Sequence, residues 1–170
     1  LVVRFRTSGE FSPPEPARPL PGERLWLTHA HHALFLLVLL GTPIERVLFG
    51  GAATGRWLGA GLFTAGVALY RVAGRTLGDA LSPFTEPREA VPLVTAGLYR
   101  YLRHPMYLSE ALIAIGAPLT LGSRGVLWLS LAAVAVLLVR ILCEEEALAR
   151  TFPEYSRYAA RTKRVFPFLY

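Results

Sequence analysis

The sequence predicts an all-α polytopic membrane protein, with about four transmembrane helices followed by a cytoplasmic, interfacial C-terminal helix. Three observations predict it. Hydrophobic residues make up 53% of the 170-residue chain and the mean hydropathy is +0.40, whereas soluble domains are roughly 45–50% apolar even with Gly counted. The apolar residues gather into four runs that are hydrophobic on every face, not along one stripe. Charged residues, 18% of the chain, cluster between those runs.

Residues 1–24 form a proline-rich, flexible lead-in, because Pro13, Pro14, Pro16, Pro19 and Pro21 prevent a regular helix. Residues 25–170 form one membrane domain. Its spans are expected at about 25–48, 57–73, 106–121 and 126–142, each near the roughly 17–25 residues that cross a bilayer as a helix. A cytoplasmic tail, 143–170, follows. The connections FGGAATG and LGSRG are short and glycine-rich, and residues 74–104 form the longest connection. Arg46, Arg56 and Arg124 lie on one side of this arrangement. Every other Arg, and the single Lys163, lies in the lead-in, the 71–103 segment or the residues from Arg140 onward. Four spans put those three basic segments on one face. The positive-inside rule makes that face cytoplasmic, with both termini there, as in the cell inner membrane.

The net charge of +6 is almost all arginine and flanks apolar runs, which points to anionic lipid headgroups and away from nucleic acid. The lone Cys143 excludes an internal disulfide framework and a cysteine-based zinc cluster.

Two clusters and the tail carry the polar chemistry. In RHPMY, Pro105 suits the first turn of a helix, so Arg103 and His104 stand just outside the N-terminus of the third span. Free N–H groups, a guanidinium and an imidazole there suit a carboxylate or phosphate, and equally a basic membrane anchor. In RILCEEEALARTF the fourth span ends in Glu144, Glu145 and Glu146, with Arg140 one turn before Glu144. Three acids near a helix C-terminus oppose the dipole unless a cation compensates, which leans toward a site. The tail FPEYSRYAARTKRVFPFLY interleaves aromatic and basic residues and reads as an interfacial anchor, a lid being the alternative. His29 to His32 (HAHH) have no carboxylate or cysteine beside them, so they read as interfacial histidines and no metal site is expected. Gly59, Gly61 and Gly66 permit close helix packing by default, or leave room for a flat ring.

With these residues in view, GLYRYLRHPMYLSE followed by EEEALARTFPEYSRYAARTKRVFP resembles the isoprenylcysteine carboxyl methyltransferase and phospholipid methyltransferase superfamily over roughly residues 58–167. The resemblance implies an integral-membrane enzyme dependent on S-adenosylmethionine, with a lipid or prenylated acceptor. It places the RHPxY motif on Arg103, His104, Pro105 and Tyr107, the paired glutamates on Glu144 and Glu145, the tyrosine pair on Tyr155 and Tyr158, and a Gly-x-Gly on Gly59 and Gly61. Two departures stand out. Pro153 replaces the glycine after Phe152, and Glu146 replaces a basic residue after the acid pair.

On this reading Glu144 and Glu145 hold the ammonium of the methyl donor, while Arg103 and His104 hold its carboxylate. Tyr107, Gly59 and Gly61 complete the cofactor site. Arg140 faces an acidic acceptor, with Tyr155 and Tyr158 beside it, and Arg140 and His104 are the catalytic candidates. In-line methyl transfer needs alignment more than a catalytic side chain, and proximity alone contributes roughly 7–11 kcal/mol. The expected reaction is carboxyl O-methylation of an isoprenylcysteine-type acceptor. The alternatives are N-methylation of phosphatidylethanolamine, an NADPH-dependent sterol-reductase-like enzyme (a pattern Glu110 fits), and a non-enzymatic membrane scaffold.

Overall fold

The structure, a computed structural model, describes residues 25–51, 54–82 and 91–165. The proline-rich lead-in, Pro83, Pro87 and the terminal FPFLY with Pro167 lie outside the described residues. Five helices account for the rest: α1 (Leu25–Phe49), α2 (Arg56–Leu77), α3 (Pro105–Leu121), α4 (Arg124–Thr151) and the single-turn α5 (Tyr155–Ala159). Short 3-10 turns at Gly78–Ala80 and Gly97–Arg100 shape the connection from α2 to α3. Among the described residues the only β feature is an isolated parallel bridge between Leu102 and Lys163.

Helices α1 and α4 are long and apolar enough to cross a membrane, at 25 and 28 residues. Helix α3 is an apolar helix of 17 residues, and α2 has 22 residues but carries Arg56, Arg71 and Arg75. The outward faces are apolar. Leu36, Leu37, Leu40 and Ile44 on α1, and Trp128, Leu131, Leu138 and Leu142 on α4, are exposed, as hydrocarbon-facing side chains are.

Small residues bring α2 and α3 together. A Cβ on Gly59 would stand 2.4 Å from the Thr120 nitrogen, and one on Gly116 would stand 2.5 Å from the Phe63 nitrogen, so the backbones touch only because both are glycine. Where the burial of polar groups is costly, the helices exchange hydrogen bonds. Ser130 Oγ donates to the Ala114 carbonyl at 2.6 Å, and Ser123 Oγ donates to the Thr42 carbonyl at 2.7 Å. The Glu45 carboxylate of α1 accepts from the Gly125 and Val126 N–H groups at 2.9 and 2.7 Å. That satisfies donors at the start of α4 and sets a negative charge at the positive end of its dipole. Gly122, at φ 76°, supplies the left-handed residue that ends α3 and lets the chain reverse into α4.

The fourth helix does not end where its apolar run ends at Leu142. It continues unbroken through Glu144–Glu146 to Thr151, so the acids lie inside the helix and not at its last carbonyls. The compensating cations that such acids require come from the approach to α3 and from the tail.

Candidate functional site

The segment before α3 and the tail after α5 are stitched side by side. Lys163 N–H donates to the Tyr101 carbonyl at 2.9 Å, Arg103 N–H to the Lys163 carbonyl at 2.7 Å, and His104 N–H to the Arg164 carbonyl at 2.9 Å. Arg103 reinforces the seam, donating from Nη1 to the carbonyls of Ala159 at 2.8 Å and Thr162 at 2.6 Å. The Tyr158 hydroxyl donates to the Tyr99 carbonyl at 2.7 Å. The interfacial helix expected of the tail is thus limited to α5 among the described residues, and the rest is pinned to the approach to α3.

Glu145 is the centre of this seam. Its Oε1 accepts from Arg103 Nε at 2.8 Å and lies 3.4 Å from His104 Nε2, while Oε2 accepts from Arg164 Nε at 2.6 Å. The carboxyl lies beyond the apolar Val126–Leu142 stretch. Burial pushes its pKa up, but the hydrogen bonds from His104, Arg103 and Arg164 outweigh burial and bring it down from 4.5 to about 2. One negative charge therefore meets two guanidiniums and an imidazole. The Arg103–His104 cluster and the glutamate run, forty residues apart in sequence, do converge.

Beside the seam opens a cavity of ≈ 330 Å³, within the usual range for ligand pockets of roughly 300–1,000 Å³. Arg103, His104, Met106, Tyr107 and Glu110 line it from α3 and its approach. Arg140, Glu144, Leu148 and Phe152 line it from α4, and Tyr155 and Tyr158 from the tail. Tyr70 and Leu77 of α2, Val91–Val94 and Tyr99 close the remaining wall, and His32 reaches it from α1. Pro105 occupies the first position of α3, with His104 as its cap residue, so the first-turn N–H groups of that helix adjoin the cavity.

Several of the lining groups are polar and unsatisfied. The hydroxyls of Tyr99 and Tyr155 and Oε2 of Glu110 are buried and accept or donate no hydrogen bond among the described residues. Burial, together with the charge of Glu144, raises the Tyr99 phenol above its usual range. Burial and then the charge of Glu145 do the same for Tyr155. Burial carries Tyr158 up to about 12. All three stay neutral; Tyr158 gives its proton to the Tyr99 carbonyl, while Tyr99 and Tyr155 keep theirs to donate.

The three consecutive acids separate cleanly. Glu144 lines the cavity and is a hydrogen-bonding neighbour of Tyr107, Glu145 is held in the seam, and Glu146 is exposed. Glu145, a cofactor-binding candidate from the sequence, has its carboxylate bound to Arg103, His104 and Arg164 and is not among the residues that line the cavity. Gly59 is buried against the α3 backbone, Gly61 has nothing within 4 Å of its Cβ position, and neither lines the cavity. Their spacing serves the α2–α3 crossing on one face and leaves the other face open.

Arg140, 3% exposed, lies at the deep end. Its Nη1 is 2.6 Å from His31 Nδ1 and its guanidinium carbon is 5.5 Å from the centre of the Tyr107 ring. One of its partners is thus a histidine from α1. The HAHH segment is therefore not simply interfacial, since His31 is 2% exposed. Sequence reading also passed over Tyr99, although it stands within the same quoted stretch as RHPMY. Among the described residues no three His, Cys, Asp or Glu side chains gather where they could hold a metal ion.

A helical, apolar-faced bundle with an amphiphilic cavity among its described residues defines a membrane protein. The phospholipid methyltransferase family model matches residues 54–155, more than half of the sequence, and the chain belongs to that family. Among curated relatives it is 31% identical, over 95% of its length and 74% of theirs, to the cobalt-zinc-cadmium resistance protein CzcN of Cupriavidus metallidurans. It is 33% identical over 117 residues to the nickel-cobalt-cadmium resistance protein NccN of Alcaligenes xylosoxydans xylosoxydans, covering 65% of this chain and 52% of that one. The fold matches the structure of the eukaryotic intramembrane Ras methyltransferase ICMT (isoprenylcysteine carboxyl methyltransferase) with a TM-score of 0.59 at 22% identity, over 85% of this chain and 52% of that one. The chain thus spans about half the length of the NccN relative and of the ICMT structure.

Proposed function

We propose that the chain transfers a methyl group from S-adenosylmethionine to an acceptor dissolved in the membrane. On this reading residues 25–170 form one membrane methyltransferase domain, crossing the inner membrane four times with both ends in the cytoplasm. The observation that carries it is the cavity itself. Glu144, three neutral phenols and the start of α3 line it together with Leu77, Val91, Leu93 and Leu148.

The residues present fit the methyl donor. Glu144 offers a carboxylate to its ammonium, and the first-turn N–H groups of α3 beside His104 offer donors to its carboxylate. The unsatisfied hydroxyls of Tyr99 and Tyr155 are donors that a polar ligand would satisfy. Arg103 and Glu145 act from behind, holding the tail and His104 in register. When bound, the sulfonium cofactor supplies an electrophilic methyl group. The chain aligns the acceptor with that methyl and excludes water, and its tyrosines and Leu148 form the cover. Arg140, buried at the deep end, meets the acceptor's negative group. That supports a carboxylate of the isoprenylcysteine type. N-methylation of a phospholipid amine is the second reading, supported by Glu110, whose Oε2 is buried without a hydrogen bond.

The test is the purified chain in detergent with S-adenosylhomocysteine or NADPH, followed by membrane lipids incubated with methyl-labelled cofactor. Stabilisation by S-adenosylhomocysteine is expected, about 2.7 kcal/mol at 100 times its dissociation constant. Stabilisation by NADPH alone would turn the reading to a reductase, and indifference to both would turn it to a scaffold. The labelled lipid identifies the acceptor.

A further inference from the structure

His31 lies on α1, N-terminal to the family-matched residues 54–155, and is more buried than most of the apolar core. Its Nδ1 is 2.6 Å from Arg140 Nη1, and its Nε2 is 3.2 Å from Glu110 Oε2. A guanidinium carries only donors, so Nδ1 accepts and the imidazole proton sits on Nε2, facing Glu110. That second contact is a close approach of polar groups, and Glu110 Oε2 makes no hydrogen bond among the described residues. His31 does not line the cavity; Arg140 and Glu110, one on each side of it, do. The Tyr107 ring, 6.3 Å from the His31 ring and beneath the guanidinium, completes the support. An arginine side chain is long and freely rotating, and at this depth its charge is costly to hold. Two flat partners, the imidazole edge and the tyrosine face, fix the plane of the guanidinium.

We propose that His31 is a positioning residue of the acceptor subsite. By accepting from Arg140 and facing Glu110 with its proton, it fixes the guanidinium against the acceptor's anionic group. The inference deepens the methyl-transfer reading and rests on it for turnover, but anion binding tests it separately.

The probe is palmitate, an anionic amphiphile, with hexadecanol as the neutral control, added to the full chain in detergent. Palmitate should bind the wild type and hexadecanol should not. His31→Leu should weaken palmitate by about tenfold or more, the loss expected for a hydrogen bond to a charged group. S-adenosylhomocysteine affinity should stay within about twofold, since His31 does not line the cavity. His31→Asn, whose amide oxygen stands near the Nδ1 position, should recover palmitate to within about threefold; His31→Gln, whose amide reaches the Nε2 position, should not. With a carboxylate acceptor, KM should rise in His31→Leu while kcat at saturation is largely kept. Unchanged palmitate binding in His31→Leu, or Asn performing no better than Gln, overturns the proposal, and the Asn–Gln comparison decides it if the Leu variant does not fold. So does a wild type that takes hexadecanol as readily as palmitate. A wild type that ignores S-adenosylhomocysteine defeats the methyl-transfer reading instead, and the palmitate series still decides the role of His31.

Discussion

Replacing Glu145 by Gln keeps the shape of the side chain and removes the charge on which the seam converges. The folded carboxyl sits at about 2 against 4.5 when unperturbed. At about 1.36 kcal/mol per unit, that difference is a ceiling of about 3.4 kcal/mol. The side chain is 12% exposed and stands at the aqueous rim, so solvent screening brings the expected loss nearer to about 2 kcal/mol. The loss falls on the contacts that hold the tail, not on the helical bundle, and local opening is its natural readout. Hydrogen exchange at the Arg103, His104 and Lys163 amides, which form the seam, should accelerate by about 30-fold in Glu145→Gln. Amides in the middle of α3 and α4 should be unaffected.

The pH dependence follows from the same shift. The folded pKa lies below the unfolded one, so the stabilisation is complete above about pH 4.5 and is lost as pH falls toward about 2. Wild-type seam protection should decline across that window while Glu145→Gln stays flat. Seam protection unchanged within about threefold in the variant would refute the clasp. Loss of S-adenosylhomocysteine binding without any change in exchange would return Glu145 to the ligand.

Two further substitutions separate packing from ligand contact. Gly59→Ala or Gly116→Ala should each cost about 1–3 kcal/mol or more in a detergent melt, because the added methyl meets α3 or α2 backbone under 3 Å away. Gly61→Ala should be neutral or stabilising by up to about 1 kcal/mol through helix propensity, with cofactor affinity unchanged; weakened cofactor binding would restore that glycine to the site. Arg140→Lys keeps the charge and loses the planar fork, so the KM of a carboxylate acceptor should rise by about tenfold while that of an amine acceptor barely moves. Equal effects on both would remove Arg140 from acceptor selection.

The helices were legible because their cause is local. An apolar run of bilayer length, a proline at position 105, and glycines at the reversals each act through a few neighbouring residues, and α1 and α3 match the expected limits within a residue. The meeting of Arg103 and His104 with the glutamate run was legible for a different reason. Three acids near one end of an apolar run are unfavourable without a cation, so the pattern by itself implies a partner. Which acid takes the cation depends on the rotation of α4 about its axis, at roughly 100° per residue. That rotation is set by packing against α1 and α3, and adjacent glutamates carry no local sign of it. The structure resolves them: one faces the cavity, the next the seam, the third solvent.

His31 was illegible on the same ground. In sequence it is one of three histidines within four residues, and nothing within its own turn distinguishes it from His29 or His32. Its partners, Glu110 and Arg140, stand far along the chain on helices whose contact with α1 is set by apolar residues such as Val38, Ala114 and Ala133. A buried histidine between a buried arginine and a carboxylate is costly unless each neighbour compensates another. A chain whose packing alone needed that position filled would fill it more cheaply with Leu or Phe. The presence of three ionisable groups there, two of them lining the cavity, therefore points to the ligand side of the molecule, where a polar group entering from the membrane needs a charge already held in place.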